Sequence, residues 1–200
     1  MLIALRNYFD LVCPYSYTMG FEVEEAEDEG VVEIEWLPFE LRPAPAPLPD
    51  PRGEYIKDHW HEQVYRLVLE HGVEIHVPRY QLRSTLALTL HSFAVEEGTG
   101  RAYRGAAHRA SFVEGFDVSD ESVLRETAQE AGLGVDAAME AAWDPARNSG
   151  LRSVREEALR LGVHGVPTVT TRTEVLYYGI AEPGRLRAIV AGWKDAKATT

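Results

Sequence analysis

Apolar positions change their spacing three times along the chain, and each change predicts a different kind of element. Residues 1–40 predict a strand, a helix and a second strand, with the helix beginning at Pro14 and ending before Gly30. A β-α-β unit of this kind usually holds two parallel strands joined by a right-handed crossover. The predicted elements are the strand 2–9, the helix 14–28 and the strand 31–36.

The middle of the chain, residues 54–162, has apolar residues at helical spacing and no convincing strand, which predicts about five or six helices. Ser119 is a candidate N-cap for one of them, because its hydroxyl can accept a bond from a first-turn N–H group. Residues 37–51 are rich in proline and therefore predict an extended connector. This connector is either a stiff linker or one wall of a binding cleft.

After Gly162 the pattern predicts a loop that enters a strand, a second strand over 174–178 and a last helix from about 182 to 196. The short join between the two strands predicts a hairpin. The two ends of the chain together predict an α/β fold with a mixed four-stranded sheet and helices packed against it. The predicted domains are residues 1–53 with 163–200, and an inserted all-helical domain over 54–162.

Composition excludes several classes of protein. The 200 residues include 32 acidic and 20 basic side chains, a net charge of −12, which disfavours nucleic acid as a partner. No stretch approaches the roughly 20 apolar residues of a membrane span, and the N-terminus has no pattern of a secretory signal, although a mature form would lack one too. A single cysteine excludes an intramolecular disulfide and a cysteine-rich zinc site, so we expect a cytoplasmic protein without a metal.

That cysteine, Cys13, follows the first strand and comes immediately before the helix that begins at Pro14. The first N–H groups of a helix are free and its N-terminal end is positive, so a thiolate there is stabilised. We therefore expect the pKa of Cys13 to be lowered from about 8.5, which would make the thiol a nucleophile. The alternative is that a lone cysteine is a small buried apolar residue.

Two segments carry a resemblance to a known family. Residues 10–17, Asp-Leu-Val-Cys-Pro-Tyr-Ser-Tyr, resemble the active-site segment of the DsbA-like thioredoxin family, in particular its FrnE-like, 2-hydroxychromene-2-carboxylate isomerase and kappa-class glutathione transferase branches. Residues 157–168, which end in Gly-Val-Pro-Thr, are similar to the FrnE-like pattern, in which this proline is cis and faces the cysteine. The resemblance covers nearly the whole chain and implies a thioredoxin-like fold with a large helical insertion.

Ser16 departs from the redox members of that family, which usually carry a second cysteine there. Without it, Cys13 can attack a disulfide but no internal thiol can release the product. The isomerase and transferase branches resemble this chain in the Pro-Tyr-Ser that follows, but have a serine at the position of Cys13. The chain therefore combines features of both groups.

The resemblance implies two mechanisms. In the first, a DsbA-like thiol-disulfide oxidoreductase, Cys13 attacks a disulfide or glutathionylated substrate, Ser16 donates a hydrogen bond to the sulfur, and external glutathione resolves the intermediate. In the second, a glutathione-dependent isomerase or transferase, both residues position glutathione for addition to a small aromatic or electrophilic substrate. A third interpretation, from another class, is a redox-inactive peptide-binding module that uses only the cleft beside Pro167.

The predicted site follows from these mechanisms. Pro167, if cis, would leave the backbone of Val166 free to pair with an extended peptide, although an ordinary loop proline is the alternative. The predicted catalytic residues are Cys13 and Ser16, the predicted substrate-binding residues are Pro14, Tyr15, Val166, Pro167 and Thr168, and His164 is a candidate for holding the thiolate. We expect no required cofactor, glutathione as a possible co-substrate, a small thiol or disulfide-bearing substrate, no nucleic-acid or membrane partner, and a homodimer as one option.

Charged residues away from this site have simpler interpretations. The acidic run over residues 22–29 predicts a solvated helix face. Arg101, Arg104 and Arg109 could meet an anionic substrate, and a surface role is the alternative.

Overall fold

A computed structural model describes residues 3–180 and 182–198, apart from the side chains of residues 59, 61, 62 and 195–198. Its strands within that range are β1 (Ile3–Phe9), β2 (Val32–Pro38), β3 (Thr168–Thr170) and β4 (Val175–Tyr178). They form one sheet in the order β2-β1-β3-β4. β1 is parallel to β2 and antiparallel to β3, and β3 and β4 form an antiparallel hairpin. The predicted mixed sheet of four strands is confirmed.

Helices occupy both ends of the chain and the long segment between β2 and β3. They are α1 (Pro14–Asp28), α2 (Glu54–His59), α3 (Tyr65–Glu70), α4 (Thr85–Glu96), α5 (Gly100–His108), α6 (Glu121–Glu130), α7 (Val135–Trp143), α8 (Pro145–Leu161) and α9 (Arg185–Ala198). Two π-helical turns, Trp60–Val64 and Arg109–Val113, join α2 to α3 and extend α5. Among these helices, none is long and apolar enough to cross a membrane.

The start of α1 is set by local chemistry. Pro14 occupies the first helical position, where a missing N–H costs nothing, and Cys13 is the N-cap residue with an extended backbone. The Cys13 carbonyl accepts the first helical bonds, from the N–H groups of Ser16 at 3.0 Å and Tyr17 at 3.1 Å. Gly30, with a φ of 68°, turns the chain from α1 towards β2. The Cys13 side chain is thereby fixed at the N-terminal end of the helix.

Several apolar clusters of the described residues pack against the sheet, and two of them fix the site. One lies between the sheet, α1 and α9, and the other joins the carboxyl end of β1, through Phe9 and Leu11, to α4, α5, α6 and α7. Because the second cluster is shared, the helical segment packs directly on the strand that leads into Cys13. The boundaries of the two domains stay a prediction.

The acidic face of α1 is partly an interface, which corrects the expectation of a solvated face. Arg104 is only 3% exposed, donates to Glu24 at 2.5 Å and stacks on Trp36 with 3.4 Å between guanidinium carbon and ring centroid. Arg101 pairs with Asp28 at 2.5 Å and with Glu24 at 3.4 Å. These arginines therefore hold α5 against α1. Arg109 pairs elsewhere, with Glu114 and Glu130, so the three arginines do not form one anion site.

The N-cap of α6 is Asp120, and the prediction of Ser119 was wrong by one residue. The Asp120 carboxylate accepts the Ser122 N–H at 2.8 Å. Ser119 instead donates its hydroxyl to Asp117 at 2.6 Å, in the turn before the helix. A carboxylate is also favoured at this end by the positive helix terminus.

Replacing the cap tests this assignment. We expect Asp120→Ala to lower the free energy of unfolding by about 1 kcal/mol, because a first-turn N–H loses its acceptor. Ser119→Ala is the matched control and should cost less, since the helix cap stays intact. Urea unfolding followed by circular dichroism measures both variants. A larger loss for Ser119→Ala would contradict the assignment.

Candidate active site

The Cys13 sulfur lies between the start of α1 and the loop that leads into β3. Its thiol donates to the Val166 carbonyl with 3.6 Å between sulfur and oxygen. The peptide bond between Val166 and Pro167 is cis. The fold therefore brings together two segments that are 153 residues apart along the chain.

The protonation state of this thiol differs from the sequence-based expectation. Cys13 is 5% exposed, and burial raises the pKa of its thiol to about 11. The Ser16 hydroxyl and the N–H groups of Ser16 and Tyr15 favour the thiolate, as expected of a helix N-terminus. Loss of water around the sulfur outweighs them, so the predicted lowering of the Cys13 pKa was wrong.

A buried carboxyl group, Asp10, adjoins the cysteine and was missing from the predicted site. Its two oxygens accept N–H bonds from Leu41 at 2.8 Å and from Val12 at 3.3 Å. Burial raises the pKa of Asp10 to about 6, and its charge contributes to raising the pKa of Cys13. Asp10 stands in the segment that carries the family resemblance, at the end of an apolar strand. The acidic residue at the end of this apolar strand is the feature of the sequence that could have identified Asp10 as part of the site.

Ser16 is fully buried beneath the cysteine. Its hydroxyl oxygen accepts the backbone N–H of Asp10 at 3.3 Å. The hydroxyl proton therefore remains available to the sulfur, which is consistent with its lowering effect on the Cys13 pKa. This is the orientation that a hydrogen-bond donor to a thiolate requires.

A cavity of about 500 Å³ opens beside Cys13. Its size falls in the range of small-molecule sites. Five aromatic side chains line it: Tyr15, Tyr55, Trp60, Tyr80 and Tyr178. Leu41, Arg42, Pro49 and Pro51 line it as well, so the proline-rich connector is a wall of the cleft. Of the two interpretations of the connector, a stiff linker or one wall of a cleft, the structure supports the wall.

Several bonds fasten the connector wall to the helical segment. Arg83 donates to the carbonyls of Arg42 at 2.7 Å and Ala46 at 3.2 Å. Arg155 donates to the Glu40 carbonyl at 2.9 Å, while the Glu40 carboxylate accepts from the Thr85 hydroxyl at 2.5 Å. The wall is therefore held in place despite its lack of regular structure.

The other predicted site residues divide into two groups. Pro14, Tyr15, His164 and Val166 line the cavity, whereas Pro167 and Thr168 do not. The Thr168 hydroxyl donates to the Gly165 carbonyl at 2.7 Å and so braces the loop from behind. His164 is exposed on the wall, and the hydrogen bonds of the described residues include none between His164 and Cys13. Within the same residues, no cluster of three or more metal-ligating side chains occurs.

Gly165 is explained by its contact with Tyr178. A Cβ atom at Gly165 would lie 2.9 Å from the Tyr178 hydroxyl oxygen and 3.0 Å from its ring. Tyr178 pairs with Thr168 in the hairpin, and Gly179 donates to the Pro167 carbonyl at 3.0 Å. The aromatic ring thus covers the loop that meets Cys13, and a Cβ atom at residue 165 would require the exposed ring to move.

A family model and a protein of Bacillus subtilis match this sequence. The profile of the DSBA-like thioredoxin domain matches residues 4–188. YwbO, an uncharacterised protein of Bacillus subtilis, is 34% identical over 136 residues, which cover 66% of this chain and 68% of YwbO.

Two solved structures share the fold. A 2-hydroxychromene-2-carboxylate isomerase superposes with a TM-score of 0.82 over 98% of both chains, at 19% identity. The cytosolic disulfide reductase DsbM from Pseudomonas aeruginosa, determined with GSH, gives 0.70 over 98% of this chain and 100% of DsbM, also at 19% identity. These likenesses confirm the predicted thioredoxin-like fold.

The buried carboxyl group predicts a distinctive dependence of stability on pH. Because the Asp10 pKa is raised from 3.8 to about 6, the folded state holds this proton more tightly than the unfolded state. Its contribution to stability is therefore present below about pH 4 and is lost as the pH rises through about 6. The expected loss is about 3 kcal/mol.

Asp10→Asn isolates this contribution, because the amide does not titrate. We expect the unfolding free energy of the wild type, minus that of Asp10→Asn, to fall by up to about 3 kcal/mol between about pH 4 and pH 7. Urea unfolding at a series of pH values gives this difference directly. A difference that stays constant over the range would show that Asp10 titrates normally.

The contact between Gly165 and Tyr178 predicts coupled effects on stability. Gly165→Ala should lower the free energy of unfolding by about 1 kcal/mol, because the exposed Tyr178 ring must move away from the new methyl group. Tyr178→Ala should cost less than about 1 kcal/mol, since the ring is 63% exposed. The double variant should be more stable than the sum of the single losses predicts, by about 1 kcal/mol. Strict additivity in a denaturation cycle would refute the contact.

Proposed function

The chain belongs to the DSBA-like thioredoxin domain family, and on this basis we propose that it is a thiol-disulfide oxidoreductase whose reacting group is Cys13 and whose intermediate is resolved by glutathione. The observation that carries the proposal is the position of the sulfur, at the N-terminal end of α1 and on the wall of a 500 Å³ cavity. The single cysteine of the sequence requires the resolving thiol to come from outside the chain.

The proposed exchange has two balanced steps. The Cys13 thiolate attacks one sulfur of a substrate disulfide, a new sulfur–sulfur bond forms, and the departing sulfur leaves with the electron pair and takes up the proton that Cys13 released. The thiolate of glutathione then attacks the substrate sulfur of the mixed disulfide. Cys13 leaves as a thiolate, and the substrate departs joined to glutathione. The protein returns to its starting state, so it consumes no oxidant of its own.

Substrate binding provides the route by which the protonated thiol becomes reactive. The Cys13 thiol donates to the Val166 carbonyl at 3.6 Å. A peptide-like substrate whose N–H group pairs with that carbonyl would take over the acceptor. The sulfur would then keep the Ser16 hydroxyl and the first-turn N–H groups, which all favour the thiolate. Activation of Cys13 is thus tied to occupancy of the cleft.

Glutathione suits this site on chemical grounds. It is a small peptide with an amide backbone that can pair with Val166, and the cavity has the volume of a small-molecule site. DsbM, which shares the fold, has been determined with GSH, and it is named a disulfide reductase. A monothiol that relies on an external thiol needs a reducing compartment, which favours the cytoplasm. The chemistry needs one chain, and the homodimer stays a prediction.

A second candidate function is a glutathione-dependent isomerase or transferase. The raised pKa of Cys13 favours it, because a thiol that stays neutral can donate a hydrogen bond to the sulfur of bound glutathione. Pro14, Tyr15 and Ser16 also match the pattern of those branches. In this mechanism Cys13 forms no covalent bond, which separates it from the first proposal.

Adduct formation distinguishes the two functions. We expect the protein, incubated with oxidised glutathione, to gain one glutathionyl group per chain on Cys13, and reduced glutathione to remove it. Intact-mass spectrometry measures both steps. Without a substrate that pairs with Val166, iodoacetamide should react slowly with Cys13. The rate should increase about tenfold with each unit of rising pH up to about pH 10, because the pKa of Cys13 is about 11.

Two variants sharpen the result. Ser16→Cys should stop the adduct from accumulating and give an internal disulfide instead, because a resolving thiol is restored. Cys13→Ser should form no adduct. If the wild type forms none either, while Cys13→Ser still binds glutathione, the isomerase or transferase proposal is favoured. If Cys13→Ala keeps binding an unfolded peptide and no glutathione binding is found, the peptide-binding module is favoured.

A further inference from the structure

Few of the side chains that line the active-site cavity carry a carboxyl, guanidinium or imidazole group. They are Asp10, Arg42 and His164. The Asp10 carboxyl group is buried and already accepts two backbone N–H bonds. Arg42 is exposed to the cavity, and the ion pairs of the described residues do not include it. The permanent charge available to a ligand is therefore positive, in a chain whose net charge is −12.

The backbone on both sides of Arg42 is fixed relative to the cysteine. The Leu41 N–H is bonded to Asp10 at 2.8 Å, three residues before Cys13. The Arg42 carbonyl accepts from Arg83 at 2.7 Å. These bonds hold the Cα atom of Arg42 beside the cavity while leaving its guanidinium group free. Such support is what a binding side chain needs in order to select among ligands.

We propose that Arg42 binds a carboxylate of the substrate, so that the cleft selects small anionic thiols and disulfides over neutral or cationic ones. This inference rests on the proposed function, in which Cys13 reacts with such molecules. A guanidinium group presents paired N–H donors that match the two oxygens of a carboxylate. Arg42 takes no part in bond making, so its removal should weaken binding and leave the chemical step unchanged.

The first arm of the test measures binding without any reaction. S-methylglutathione carries free carboxylates and no thiol, and its diethyl ester has the same skeleton with the carboxylates blocked. Calorimetry should show that Arg42→Gln weakens binding of the acid at least about tenfold, the scale of one charge-assisted hydrogen bond. Binding of the diethyl ester should change less than twofold, and Arg42→Lys should restore part of the affinity for the acid.

Arg52→Gln is the matched control. Arg52 is exposed, lies ten positions further along the chain, immediately after the connector, and is not among the cavity-lining residues. This variant removes the same charge from the chain outside the cavity. It should leave binding of both ligands within twofold of the wild type. An equal loss in Arg42→Gln and Arg52→Gln would indicate a general electrostatic effect and overturn the inference.

The second arm measures the rate of adduct formation on Cys13 with oxidised glutathione and with neutral 2-hydroxyethyl disulfide. Arg42→Gln should raise the concentration of oxidised glutathione that gives half the limiting rate about tenfold, at an unchanged limiting rate constant. It should leave the rate with the neutral disulfide within twofold. Equal effects on both disulfides would overturn the inference while the proposed exchange stands. Selective loss of S-methylglutathione binding, with no adduct in any protein, would uphold Arg42 as the carboxylate site and reject the exchange reaction.

Discussion

The contact between the Cys13 thiol and the Val166 carbonyl joins the two ends of the chain at the candidate active site. It joins the start of α1 to the loop before β3, across the entire helical segment of the chain. The pairing of β1 with β3 brings the two ends of the chain together, and the shared apolar cluster holds the helices on the same strand. Both hold the segments that surround the sulfur and line the cavity beside it.

Burial of the sulfur at the N-terminal end of α1 sets two physical effects against each other. The free N–H groups of α1 and the Ser16 hydroxyl favour a thiolate, whereas burial of the sulfur disfavours it. A pKa of about 11, against an ordinary 9.0, means that forming the thiolate at this buried position costs about 3 kcal/mol more than in water. Under the proposed function, a ligand N–H group that pairs with the Val166 carbonyl would leave the sulfur with the hydrogen bonds that favour the thiolate.

Local patterns predicted the elements well because each is decided by nearby residues. Pro14 and Gly30 bound α1, and alternation in residues 31–36 marks β2. The missed features depend on contacts between distant residues. Spacing alone cannot show that Asp10 bonds the connector at Leu41, that Gly165 lies under Tyr178, or how much water the fold removes from a sulfur atom. The helix alone predicts a lowered pKa for Cys13, whereas burial of the sulfur raises it.

Asp10 links the two halves of the site. Its carboxyl group holds Leu41, next to Arg42 on the cavity wall, and its charge opposes the thiolate of Cys13. A proton on Asp10 would remove that opposition, but it would also weaken the bond to Leu41, because a neutral carboxyl oxygen is a poorer acceptor than a carboxylate. The position of the wall and the acidity of the thiol therefore depend on the same proton. Since the pKa of Asp10 is about 6, this proton is mostly absent at neutral pH. The carboxylate then binds the Leu41 N–H group on the cavity wall and contributes to raising the pKa of Cys13.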